Sequence, residues 1–242
     1  MATIEAKLHQ VHARVAQACA TAGRPVRSVT LLAVSKTHRP AAVREAVAAG
    51  QREFGENYVG EAIDKMQALA ELRSQLRWHL IGPLQANKTR DVAMAFDWVH
   101  TIDRLKIAQR LSEQRAPHLP PLNVCMQVNV SGEARKSGVA PDDLLPLARA
   151  VAGLPRLRLR GLMSVPEPSL DFAAQRRPHR ALRALFDALN AQGFALDTLS
   201  MGMSADLEAA IVEGATVVRI GSAIFGARPA AAVSGPCAST GA

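Results

Sequence analysis

Val29-Thr-Leu-Leu-Ala-Val-Ser-Lys36 is an apolar, β-branched run of strand length, and the helical segment after it decides the fold. Pro40 suits a first helical turn, the alanine- and valine-rich stretch 41–49 continues it, and Gly50 closes it. The unit then repeats. Strand patterns at 52–56, 78–82, 98–102, 122–130, 157–165, 196–201 and 217–225 alternate with helical patterns at 58–73, 87–95, 103–115, 141–152, 176–192 and 204–213. Strict alternation implies parallel strands joined by right-handed crossovers. Eight units in 242 residues match a closed (β/α)8 TIM barrel. The rival, an open doubly wound sheet, expects a glycine-rich turn after its first strand, and Ser35-Lys36-Thr37-His38 is not one. A helix over 3–22 precedes the first strand and is extra to the barrel, a cover for one of its ends. The barrel is expected over 1–228. The segment 229–242 is rich in Ala, Pro, Ser and Gly without periodicity and reads as a disordered C-terminal tail.

Lys and Arg number 29 against 21 Asp and Glu, a net charge of +8. That excess favours an anionic partner: nucleic acid, a membrane surface or a phosphorylated small molecule. With six Phe, two Trp and one Tyr, no stretch interleaves aromatic and basic residues as base-stacking proteins do, which argues against nucleic acid. Arg156-Leu-Arg-Leu-Arg160 reads as a strand with one solvated face. No apolar run approaches a membrane span, and the amphipathic N-terminus lacks the features of a secretory signal. The three cysteines, Cys19, Cys125 and Cys237, are odd in number and far apart, which argues against a disulfide framework or a CxxC metal site and for a reducing, cytoplasmic setting. Cys125 falls in an apolar run and is expected in the core.

In a barrel of this kind, chemistry collects where strands run into the loops at their C-terminal ends. The last two loops are the most informative. Ser200-Met-Gly-Met-Ser204 leads into a short helix that Ser204 is placed to cap, and Val218-Arg-Ile-Gly-Ser222 ends the last strand in small residues. Backbone N–H groups at glycine and at a helix start attract anions, so these loops are candidates for a phosphate cradle; the plainer reading makes Ser204 a cap and Gly221 a turn. Lys36 ends the first strand. It is either a lysine reaching for water or, beside a phosphate cradle, an amine that captures an aldehyde. Together they suggest a phosphorylated carbonyl compound, pyridoxal 5′-phosphate (PLP) or an aldolase-type sugar phosphate. Arg219 shares a strand face with Gly221 and needs a partner, either the pyridine nitrogen of PLP or a barrel carboxylate such as Glu56 or Asp103.

Leu32-Ala-Val-Ser-Lys36, Phe54-Gly-Glu-Asn-Tyr58, Trp78-His-Leu-Ile-Gly-Pro-Leu-Gln-Ala-Asn-Lys88, Leu199-Ser-Met-Gly-Met-Ser204 and Val218-Arg-Ile-Gly-Ser-Ala-Ile-Phe-Gly226 resemble the pyridoxal phosphate homeostasis proteins, the YggS or PROSC type. The resemblance runs from about residue 4 to Arg228. It implies a single (β/α)8 barrel like the N-terminal domain of alanine racemase, lacking that enzyme's C-terminal β domain. It implies PLP held as a Schiff base on Lys36, phosphate contacts from Ser204, Gly221 and Ser222, Arg219 at the pyridine nitrogen, and Asn57 beside the cofactor. His79 reads as a packed, hydrogen-bonded strand residue. Lys136, in a basic loop, is either a docking point for cofactor in transit or an ordinary solvated lysine.

Racemisation needs an acid/base group on each face of the cofactor. One can be Lys36; in the racemase-like enzymes the other is a tyrosine from a second domain of a partner subunit. The only tyrosine here, Tyr58, is expected to pack at a helix start. A site open on one face excludes little water and catalyses poorly, but lets cofactor come and go. The expectation is therefore a monomeric, non-catalytic carrier of PLP that serves apo PLP-dependent enzymes, with neither nucleic acid nor membrane as partner. The alternative is a racemase of the alanine racemase type.

Overall fold

A computed structural model describes residues 2–131 and 137–227; the expectations for Lys136 and for the tail lie outside the described residues. The chain begins with α1 (Ile4–Thr21), then runs β1 (Thr30–Val34), α2 (Pro40–Ala48), β2 (Glu53–Glu56), α3 (Val59–Ala68), β3 (Arg77–Leu80) and α4 (Thr89–Ala95). It continues through β4 (Trp98–Ile102), α5 (Leu105–Gln114), β5 (Leu122–Gln127), α6 (Leu144–Ala152), β6 (Leu157–Met163) and α7 (Phe172–Ala191). The last elements are β7 (Thr198–Ser200), α8 (Leu207–Val212), β8 (Val217–Ile220) and α9 (Ser222–Phe225). Strands β1 to β8 pair in sequence order, all parallel, and β8 pairs back onto β1 with Leu32 opposite Arg219. The sheet therefore closes as a barrel, as the alternation predicts.

The strand faces that point outward meet the helical ring. Phe54, Trp78, Val99 and Val124 are buried there, with Val43, Ala62, Val92 and Ile107 among the helix residues that join the same core. Cys125 is fully buried, as expected, and so is Cys19. Among the described residues no helix is long and apolar enough to cross a membrane.

Several boundaries differ from the sequence reading for local reasons. β1 ends at Val34, so Lys36 lies beyond the strand. The apolar stretch after Ile220 is not strand. At Gly221 the chain turns, and its carbonyl accepts the N–H groups of Ile224 and Phe225 to make the single turn α9. α7 begins four residues earlier than expected because Asp171 caps it, its Oδ1 accepting the Ala174 N–H at 2.7 Å. The extra helix α1 does not close an end of the barrel. It packs on α8, α9 and α2, filling the place in the outer ring that α9 is too short to occupy. Its buried stripe, Leu8, Val11, Val15, Ala18 and Cys19, has the helical spacing that such a seat requires.

Candidate functional site

All six residues singled out from the sequence, Lys36, Asn57, Ser204, Arg219, Gly221 and Ser222, line one cavity of about 500 Å³. Each stands at or just beyond the C-terminal end of its strand, β1, β2, β7 or β8. Val34, Ile81, Val165 and Met203 supply an apolar lining. A volume of this size suits a small ligand.

Lys36 is half-buried, and the peptides on both sides of it are pinned to one charged cluster. The Lys65 ammonium, almost wholly buried on α3, donates to the Ser35 carbonyl at 2.8 Å, to Glu56 at 2.6 Å and to Glu61 at 3.0 Å. Ser35 Oγ donates to Glu56, and the Thr37 N–H donates to Glu61, both at 2.6 Å. Thr37 holds φ at +65°, a left-handed conformation costly for a branched residue, and the bond to Glu61 offsets that cost. Burial raises the Glu56 carboxyl above its ordinary range, and the charge of Lys65 and the bonds from Lys65 and Ser35 only partly oppose it.

Asn57 is placed by a close approach. A Cβ on Gly82 would collide with the Asn57 carbonyl oxygen, so only glycine lets the ends of β2 and β3 meet there. Asn57 Oδ1 is buried without a hydrogen-bond partner among the described residues.

Arg219 is buried on β8 but pairs with neither Glu56 nor Asp103. Glu56 belongs to the Lys65 cluster and Asp103 pairs with Arg104 at 2.7 Å. The guanidinium instead donates through Nη1 to the carbonyl and hydroxyl of Ser200, and through Nη2 to the Ser164 carbonyl at 2.7 Å. Burial lowers its pKa to about 10, with Asp206 and then Cys125 opposing, so it remains a cation at neutral pH.

The turn before α8 corrects the reading of Ser204 as a helix cap. α8 starts at Leu207, with Asp206 at the cap position and no side-chain capping bond. Asp206 is committed to the loop instead: Oδ1 accepts the Met203 N–H at 2.7 Å, and Oδ2 meets His179 Nε2 at 2.9 Å. Ser204 thus stays in the turn, half-buried on the cavity wall. Gly202 makes the turn possible, with φ at +91°. From the outer ring, Arg14 of α1 donates to the Ser204 carbonyl at 3.1 Å while its guanidinium also pairs with Glu208. Nothing in the local sequence around Ser204 points to Arg14, 190 residues away.

The alanine racemase N-terminal domain family matches residues 7–229. The pyridoxal phosphate homeostasis protein of Pseudomonas aeruginosa is 62% identical over 94% of this chain and 97% of its own. This chain belongs to the pyridoxal phosphate homeostasis family. The Escherichia coli K12 member is 53% identical over 94% of this chain and 98% of its own. PipY of Synechococcus elongatus, solved with PLP bound, is 38% identical with a TM-score of 0.77, covering 88% of this chain and all of that one.

The sequence reading did not single out His38, which lines the same cavity and stacks on Phe225 with ring centroids 5.1 Å apart. Burial, then the charge of Lys65, hold this imidazole below its ordinary range despite Glu61. A signal for it exists in the sequence: it stands two residues after Lys36, just past one of the blocks that carry the family resemblance. Tyr58 sits at the start of α3 as expected, but it is exposed rather than packed and is not part of the lining. Among the described residues no group of His, Cys, Asp or Glu is arranged to hold a metal ion.

Proposed function

We propose that this cavity binds pyridoxal 5′-phosphate, covalently through Lys36, and that the protein stores the cofactor and releases it to apo-enzymes that depend on it. The observation that carries this reading is the convergence of Lys36, Asn57, Ser204, Arg219, Gly221 and Ser222 from four strand ends on one cavity. The residues fit the cofactor. The buried Asn57 Oδ1 lacks a partner that a ligand would provide, and small residues line the wall beside Ser204. Among the described residues no carboxylate is bonded to the cationic Arg219. PipY, a family member, binds PLP.

When bound, the cofactor supplies an aldehyde that amines capture reversibly and a ring that withdraws electrons. Lys36 Nζ would be the amine that holds it. Ser204, Gly221 and Ser222 would hold the phosphate. Arg219 would donate to the ring nitrogen; as a fixed cation it disfavours a proton there and so weakens the ring as an electron sink. The result is binding without efficient turnover, in keeping with the homeostasis name of the relatives. The racemase alternative would require a second acid/base group, and the chain's one tyrosine does not face the cavity. The buried free thiols of Cys19 and Cys125 suit a reducing compartment, and we place the protein in the cytoplasm.

Borohydride reduction of the PLP-loaded protein and subsequent peptide mapping test this reading. The expected result is one modified peptide carrying Lys36, absent in Lys36→Ala, whose circular dichroism and melting stay unchanged. Modification elsewhere, or none, overturns it. Loaded protein should also restore an apo PLP enzyme without consuming L-alanine.

A further inference from the structure

Barrel interiors are usually filled by branched aliphatic side chains. Here a chain of polar groups crosses the interior from the cavity to the opposite mouth. Arg219 Nη1 lies 2.8 Å from Ser200 Oγ, and Ser200 Oγ lies 2.8 Å from His100 Nδ1. His100 Nε2 lies 2.9 Å from His79 Nδ1, and His79 Nε2 lies 2.6 Å from Glu53 Oε2. Ser200 and His100 are fully buried, His79 and Arg219 nearly so, while Glu53 is partly open to a smaller pocket at the far end.

The two ends dictate the direction. A guanidinium only donates and a carboxylate only accepts. Arg219 donates to Ser200 Oγ, so the Ser200 proton goes to His100 Nδ1. The His100 Nε2–H goes to His79 Nδ1, and the His79 Nε2–H goes to Glu53. Every link then has one proton and both imidazoles are neutral. For His100 this agrees with a pKa held well below the ordinary imidazole value by burial, then by His79 and Arg219. The reverse direction would demand a charged His79 and leave the Ser200 proton without an acceptor in the chain.

We propose that Ser200, His100 and His79 are positioning residues that hold the Arg219 guanidinium as a one-way donor towards a ring-nitrogen acceptor in the cavity, with Glu53 as the distant anionic terminus. This rests on the assignment of the cavity to PLP. It explains how a buried arginine is held without placing a carboxylate beside the ligand. A buried network in which each link from Ser200 to Glu53 carries one proton fixes geometry more than it adds stability.

The test compares PLP with its 1-deaza analogue, in which a C–H replaces the ring nitrogen while aldehyde and phosphate are kept. Dissociation constants are measured for the full chain and for His100→Phe, His100→Asn and Ser200→Ala. The unmodified protein should prefer PLP by about tenfold, the worth of roughly one hydrogen bond. His100→Phe and Ser200→Ala should lose that preference. His100→Asn should keep it, because its Oδ1 stands where Nδ1 accepted the Ser200 proton. A purely structural role would weaken both ligands equally and leave the ratio intact; that outcome overturns the proposal. If His100→Phe does not fold, Ser200→Ala decides alone. An unmodified protein that is trapped on Lys36 yet shows no preference also overturns the relay, while the carrier reading stands. Absence of trapping overturns the carrier reading itself.

Discussion

Ser204 and Gly202 occupy one turn and are expected to fail differently. Ser204→Ala removes a single hydroxyl from the cavity wall and leaves the fold alone. PLP binding should weaken by about 1–3 kcal/mol, the range for a lost charge-assisted hydrogen bond, read as a dissociation constant roughly fivefold to 150-fold higher at unchanged melting temperature. Gly202→Ala adds a Cβ at φ +91° and 2.5 Å from Ala210 Cβ. It should lower stability by on the order of 2 kcal/mol and reduce binding with it, visible in a denaturant melt. Lys65→Met should cost more, about 3–5 kcal/mol, because it leaves Glu56 buried without its cation and frees the peptide before Lys36. At this scale the sequence named six residues on the cavity wall but not His38. It did not show the supports behind them: Lys65, Glu61 and Arg14 look like ordinary helix-surface charges until the helices are docked.

The elements locate those supports. α1 reads in the sequence as an amphipathic helix with no assigned neighbour, because a hydrophobic stripe says that a face is buried and not against what. Docked beside α8, it brings Arg14 to the Ser204 turn. The Arg14–Glu208 pair is about two-fifths exposed, so Arg14→Ala should change stability by less than about 1 kcal/mol. The turn loses an anchor, however, and PLP affinity should fall by about threefold, a fraction of one hydrogen bond. Equal loss of stability and affinity would show that Arg14 only packs. The misread start of α8 has a similar origin. The sequence puts Asp206 in the first helical turn, but His179 of α7 and the Met203 N–H claim both of its oxygens.

Across the whole molecule, the acid response comes from carboxylates held below their ordinary range. Burial alone would raise the pKa of Asp206, Asp197 and Glu213. Bonds from His179 and the Met203 N–H, from Arg160 and Thr198, and from Arg180 and Arg176 respectively outweigh it. Their stabilisation is complete above the unfolded carboxylate value of about 4 and is lost as pH falls through the lower folded values. Glu56 works in the opposite sense: its raised pKa makes stability fall as pH rises from the unfolded value through the folded one. Urea midpoints measured against pH should therefore drop below about pH 4, and Asp206→Asn should flatten that limb. The amino-acid sequence by itself determined the barrel, since eight alternating β and α periods admit few other closures, and it marked the residues at the strand ends. Only the tertiary structure decided that Arg219 bonds to Ser200 and Ser164 rather than to Glu56 or Asp103, that α1 sits in the helical ring, and that Glu53, His79, His100, Ser200 and Arg219 form one line. Periodicity reports which face of a strand points inward. Which inward groups touch depends on the register of strands far apart in the chain, and that is settled only when the sheet closes.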